Sequence, residues 1–83
     1  MKLNQIETKL VAKGYTIDAN CQGNHTCGVW CHVLVGAPDD IALAYADVLQ
    51  RIWQIYHRCC EETPYMHKGL DDAKQRLVAL LSK

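Results

Sequence analysis

Residues 39–62 constrain the fold more than any other stretch of this 83-residue chain, because almost every position off one narrow stripe is apolar. Asp47, Gln50, Arg51, Gln54, Arg58 and Glu61 or Glu62 follow helical spacing. Ile41, Leu43, Ala44, Tyr45, Val48, Leu49, Ile52, Trp53, Ile55, Tyr56, Cys59 and Cys60 occupy the remainder. Gly36-Ala37-Pro38-Asp39-Asp40 opens this helix, with Pro in the first turn and two carboxylates at the positive end of the dipole. Pro64 marks its end. A helix of about 24 residues is about 36 Å long. A compact domain of this size has a radius of gyration of about 12 Å, so the helix crosses the whole molecule.

Upstream, the hydrophobic period changes from helical to two. Tyr15, Ile17, Ala19 and Cys21 alternate with Thr16, Asp18, Asn20 and Gln22, and Cys27, Val29, Cys31, Val33 and Val35 alternate with Gly28, Trp30, His32 and Leu34. Gly23, Asn24 and His25 lie between, so the segment reads as a β-hairpin. Placing both odd-numbered sets on one face demands paired positions with an even sum. A three-residue loop then sets Cys21 opposite Cys27, Ala19 opposite Val29 and Ile17 opposite Cys31.

Leu3, Ile6, Leu10 and Val11 recur at three- and four-residue steps, which predicts a short helix ending at Gly14 with Lys13 in its last turn. The last helix begins either at Thr63-Pro64 or near Leu70, after Gly69, and buries Leu70, Ala73, Leu77, Leu80 and Leu81. The expected architecture is therefore α+β in the order αββαα, within a single domain of residues 1–83.

This pattern carries more apolar surface than two shorter helices and one hairpin readily cover. The second strand is apolar on both faces, and a lone hairpin leaves two open edges. A homodimer resolves both problems, through joined hairpin edges or packed long helices. The chain carries nine Lys+Arg against nine Asp+Glu, a net charge of zero with no basic run, which argues against nucleic acid as a partner. Charged residues in the first segment exclude a signal peptide, and the uncharged window 19–38 is too polar to span a bilayer. The expectation is a cytoplasmic protein with no membrane partner.

The five cysteines sit in apolar runs and read mainly as buried thiols. Cys21 and Cys27, with His25 in the loop above, are the candidate zinc or redox group, although their spacing fits no familiar zinc knuckle. Directly opposed strand positions also permit a Cys21–Cys27 disulfide. Cys31 and His32 point to opposite faces of a strand, so they form no nucleophile–base pair. Glycine-rich phosphate loops, HExxH and GxSxG patterns are missing, and no catalytic residue or cofactor is assigned. The outer hairpin face, carrying Asp18, Trp30, His32 and Leu34, is the expected protein-binding patch, since an aromatic anchor ringed by polar groups suits a hot spot. The sequence thus predicts a non-enzymatic protein that acts through an unidentified protein partner, as accessory subunit, adaptor or inhibitor. One alternative is the metal- or redox-responsive module. Another is a small-molecule pocket beneath the hairpin, lined by Tyr45, Trp53 and Tyr56.

Overall fold

The computed structural model describes residues 2–19, 32–56 and 64–82. They form α1 (Leu3–Ala12), β1 (Thr16–Ala19), β2 (His32–Val35), α2 (Asp39–Tyr56) and α3 (Pro64–Leu81), an α+β arrangement in the expected order. Strands β1 and β2 make a two-stranded antiparallel sheet. Helix α2 packs against α3 and β2, while α1 packs against α3 and β1.

Local chemistry sets most helix ends. At the start of α1, the Gln5 side-chain oxygen accepts the Lys2 backbone N–H at 3.0 Å, satisfying a donor that has no partner in the helix. At its end the chain turns through Gly14, whose φ of +95° is open to glycine and costly for other residues. The Gly14 N–H donates to the Val11 carbonyl and the Tyr15 N–H to the Leu10 carbonyl, the paired bonds of a Schellman cap. The cap turns Tyr15 back onto the core beside buried Leu10. Gly36, with φ +89°, turns the chain from β2 into α2. There the Pro38 carbonyl accepts the Ala42 N–H, and the Asp40 carboxylate accepts the N–H of Ile41 at 2.8 Å. Of the two starts open to the last helix, the structure takes Pro64, and Gly69 lies inside α3. Helix α2 starts at Asp39, as expected; its expected continuation through 57–62 lies outside the described residues.

The core draws on all three helices: Ile6 and Leu10 of α1, Ile41, Ala44, Tyr45, Val48 and Leu49 of α2, and Ala73, Leu77 and Leu81 of α3. Each fully buried aliphatic side chain among them contributes about 1.5–3 kcal/mol relative to exposure. Tyr15, Ile17 and Leu34 bring the inner face of the sheet against this cluster.

The register corrects the sequence-based pairing. Thr16 pairs with Val35, Ile17 with Leu34, Asp18 with Val33 and Ala19 with His32, so paired positions have an odd sum. Ile17 therefore faces Leu34 instead of Cys31, and Ala19 faces His32 instead of Val29. Val33 and Val35, expected inside, are exposed on the outer face with Thr16 and Asp18. The cause is a strand with apolar residues of both parities. Its own pattern costs little in either register, and packing decides. Leu34 fills the inner face, and the His32 side chain meets a carboxylate from α1. The expected loop and the Cys21–Cys27 pairing lie outside the described residues. No helix among the described residues is long and apolar enough to cross a membrane.

Candidate functional site

A polar junction ties three elements together. Glu7 of α1 falls on the same helical stripe as Leu3, Ile6 and Leu10, so the packing that buries them carries its carboxylate inward. Its Oε2 accepts the Tyr45 hydroxyl of α2 at 2.5 Å and lies 2.9 Å from Nδ1 of His32 on β2. When that carboxylate is ionised it only accepts, and the proton shared with the imidazole then sits on Nδ1. Tyr45 is 1% exposed, and its ring belongs to the core while its hydroxyl reaches the partly buried acid. This gives a buried phenol the partner that it requires.

Beside the junction runs a cleft of about 460 Å³ between β2 and α2. His32, Val33 and Leu34 line it from the strand. From α2 come Ala42, Tyr45, Ala46, Leu49, Gln50 and Trp53, spaced at three and four residues along one side of the helix. The apolar surface of α2 is thus divided. Ile41, Ala44, Val48 and Leu49 are buried in the core, while Ala46 and Trp53 remain exposed over the cleft. Ala42 and Ala46 stand one helical turn apart on the cleft side of α2, and Trp53 follows about two turns beyond Ala46. Apolar side chains predominate, and no Asp, Glu, Lys or Arg stands among the described residues that line it.

The four residues expected to form one protein-binding patch are separated. Asp18 is on the outer sheet face, whereas His32 and Leu34 are half-buried on the inner one, where both also line the cleft. Trp30 lies outside the described residues, as do Cys21, His25 and Cys27 of the candidate metal or redox group. Among the described residues no cluster of three or more His, Cys, Asp or Glu is placed to hold a metal ion. Of the three residues named for the pocket alternative, Tyr45 and Trp53 line this cleft, and the Tyr56 side chain is not among those described.

Glu7 is not among the site residues that the sequence suggested. A signal was present. At about 100° per residue, Glu7 lies closer to the Ile6–Leu10 axis than Val11 does. The structure agrees, with Glu7 partly buried and Val11 57% exposed. Comparison with protein-family models, with curated proteins and with solved structures finds no match for this chain.

Proposed function

We propose that this chain is a non-enzymatic binding module whose site is the cleft between β2 and α2, and that the cleft takes a small apolar molecule. One observation carries the reading: the cleft, at about 460 Å³, is the size of a small-ligand site and mostly apolar, with a few polar groups at defined places. The side chains of Tyr45 and His32 are bonded to Glu7, so the wall they form is held in one geometry before any ligand arrives. Naphthalene is a suitable probe, followed by the Ala42 and Ala46 methyl and Trp53 indole resonances in a Trp30→Phe background. These resonances shift on titration, and Ala46→Leu, which puts a larger side chain into the cleft, weakens binding at least tenfold with the circular dichroism unchanged. Shifts confined to another face, or full affinity in folded Ala46→Leu, would remove the cleft as the site.

A second reading, protein contact including self-association, is favoured by the exposure of Val33 and Val35, which share the outer face of β2. Large apolar side chains gathered near one another mark partner surfaces more often than scattered ones do. Size-exclusion chromatography with light scattering distinguishes a species of twice the 9.4 kDa chain mass from a single chain at tens of micromolar.

A further inference from the structure

We propose that α2 is the seam of a homodimer, lying antiparallel to the α2 of a second copy so that Leu43 of each chain packs on the partner's Trp53. The proposal deepens the self-association reading by naming the face and the orientation, and it does not depend on the cleft taking a small molecule. Its first support is the pattern of exposure along one helix. Beyond its first turn, α2 exposes Leu43, Ala46, Gln50, Trp53 and Gln54. The first four are spaced by three, four and three residues, the repeat that keeps one stripe facing a partner helix along its length. Ala44, Tyr45, Val48 and Leu49, which interrupt the stripe, are buried in the chain's own core. Leu43, 70% exposed, and Trp53, 40% exposed, are the large apolar members of the stripe.

Side-chain size selects the antiparallel order. A two-fold axis at Val48 sets Leu43 against the partner's Trp53 and Ala46 against the partner's Gln50. Large then meets large at both ends, and small meets long at the centre. Parallel helices would set Trp53 on Trp53 and Ala46 on Ala46, so the spacing that suits one layer leaves a gap at the other. Gln50 is the single polar residue of the stripe, and a polar residue at such a position fixes register and orientation.

Charge selects the same order. Asp39 and Asp40 lie in the first turn of α2, so parallel helices would gather four carboxylates at one end, whereas antiparallel helices send two to each end. Asp47 and Arg51 flank the stripe, joined within the chain at 3.1 Å. About the axis at Val48, each Asp47 comes within one helical turn of the partner's Arg51, so the two chains complement each other there. Ala46 and Trp53 also line the cleft, so naphthalene binds the single chain and opposes pairing.

Light scattering from tens to hundreds of micromolar is expected to show the mass rising from one chain to two. Isotope-filtered NOE spectroscopy on an equal mixture of labelled and unlabelled chain, in the Trp30→Phe background, then connects Leu43 methyls to the Trp53 indole. Within one chain these residues are about 15 Å apart along the helix, so the signal arises only between chains. Asp47→Arg and Arg51→Asp each return the mass of one chain with unchanged circular dichroism, and an equimolar mixture of the two recovers the dimer. Filtered contacts from Trp53 to the partner's Trp53 overturn the antiparallel order. A dimer whose filtered contacts fall on Val33 and Val35, or one that keeps its mass in both charge variants, overturns the α2 seam and leaves self-association standing. A single chain at every concentration overturns the seam and self-association together, and leaves the cleft reading untouched.

Discussion

The Glu7 carboxylate accepts the hydroxyl of Tyr45 across 38 residues of sequence, joining the first helix to the central one. His32 shares the same oxygen, so one partly buried acid holds α1, β2 and α2 in mutual register. Hydrogen bonds to a charged group contribute about 1.5–3 kcal/mol, roughly twice the value of neutral ones.

Tyr45→Phe keeps the ring in the core and deletes only the hydroxyl. We expect a loss of about 1–2 kcal/mol, read as a lower urea midpoint with an unchanged slope. Glu7→Leu removes the acceptor from both Tyr45 and His32 and should cost at least as much. A Tyr45→Phe variant as stable as the parent would mean that the contact carries no weight in solution.

The odd-sum register makes an asymmetric prediction for neighbouring residues. Leu34 packs on the core face, so Leu34→Ala should destabilise by about 2 kcal/mol. Val33 points outward, 43% exposed. Val33→Thr should change stability by less than about 0.5 kcal/mol. The opposite ranking, measured by chemical denaturation, would restore the even-sum pairing.

Two glycines should respond to alanine with opposite signs. Gly14 holds φ at +95°, and Gly14→Ala should cost about 1 kcal/mol or more through backbone strain, although a Cβ there meets nothing. Gly69 sits inside α3, where alanine is favoured by about 1 kcal/mol. Its Cβ would come within 2.6 Å of an Arg51 guanidinium nitrogen, the far end of a flexible side chain that can swing aside. Displacing Arg51 strains its half-buried i,i+4 ion pair with Asp47, worth about 0.3–0.5 kcal/mol. Gly69→Ala should therefore raise the melting temperature slightly; a clear decrease would show that Arg51 cannot move.

Leu43 is 70% exposed in the first half of α2 and adds little to the core. Leu43→Glu should leave monomer stability within about 0.5 kcal/mol. If copies of the chain associate through this surface, the same change lowers the mass seen by light scattering to that of one chain. A dimer that survives the added charge must use another face.

The elements were legible in the sequence because their causes are local. Gly14 behind Lys13, Pro38 ahead of two aspartates, and the spacing of Leu70, Ala73, Leu77 and Leu81 act through capping, dihedral limits and helical period, which need only a few neighbouring residues. Sheet register and the buried acid are of another kind. With Val33 and Val35 on one side of β2 and Leu34 on the other, alternation leaves the inward face undecided, and contact with α1 and α2 settles it. Glu7 reads locally as one more charge on a solvated helix, and becomes a junction only when Tyr45 and His32 arrive from distant segments. The cleft has the same origin. The sequence determined that α2 is apolar around most of its circumference, but only the assembled helices and strand decided which part is covered and which is left open beside Ala46, Gln50 and Trp53. Short-range chemistry fixes where elements start and stop, whereas the burial of any one side chain depends on what the rest of the chain lays over it.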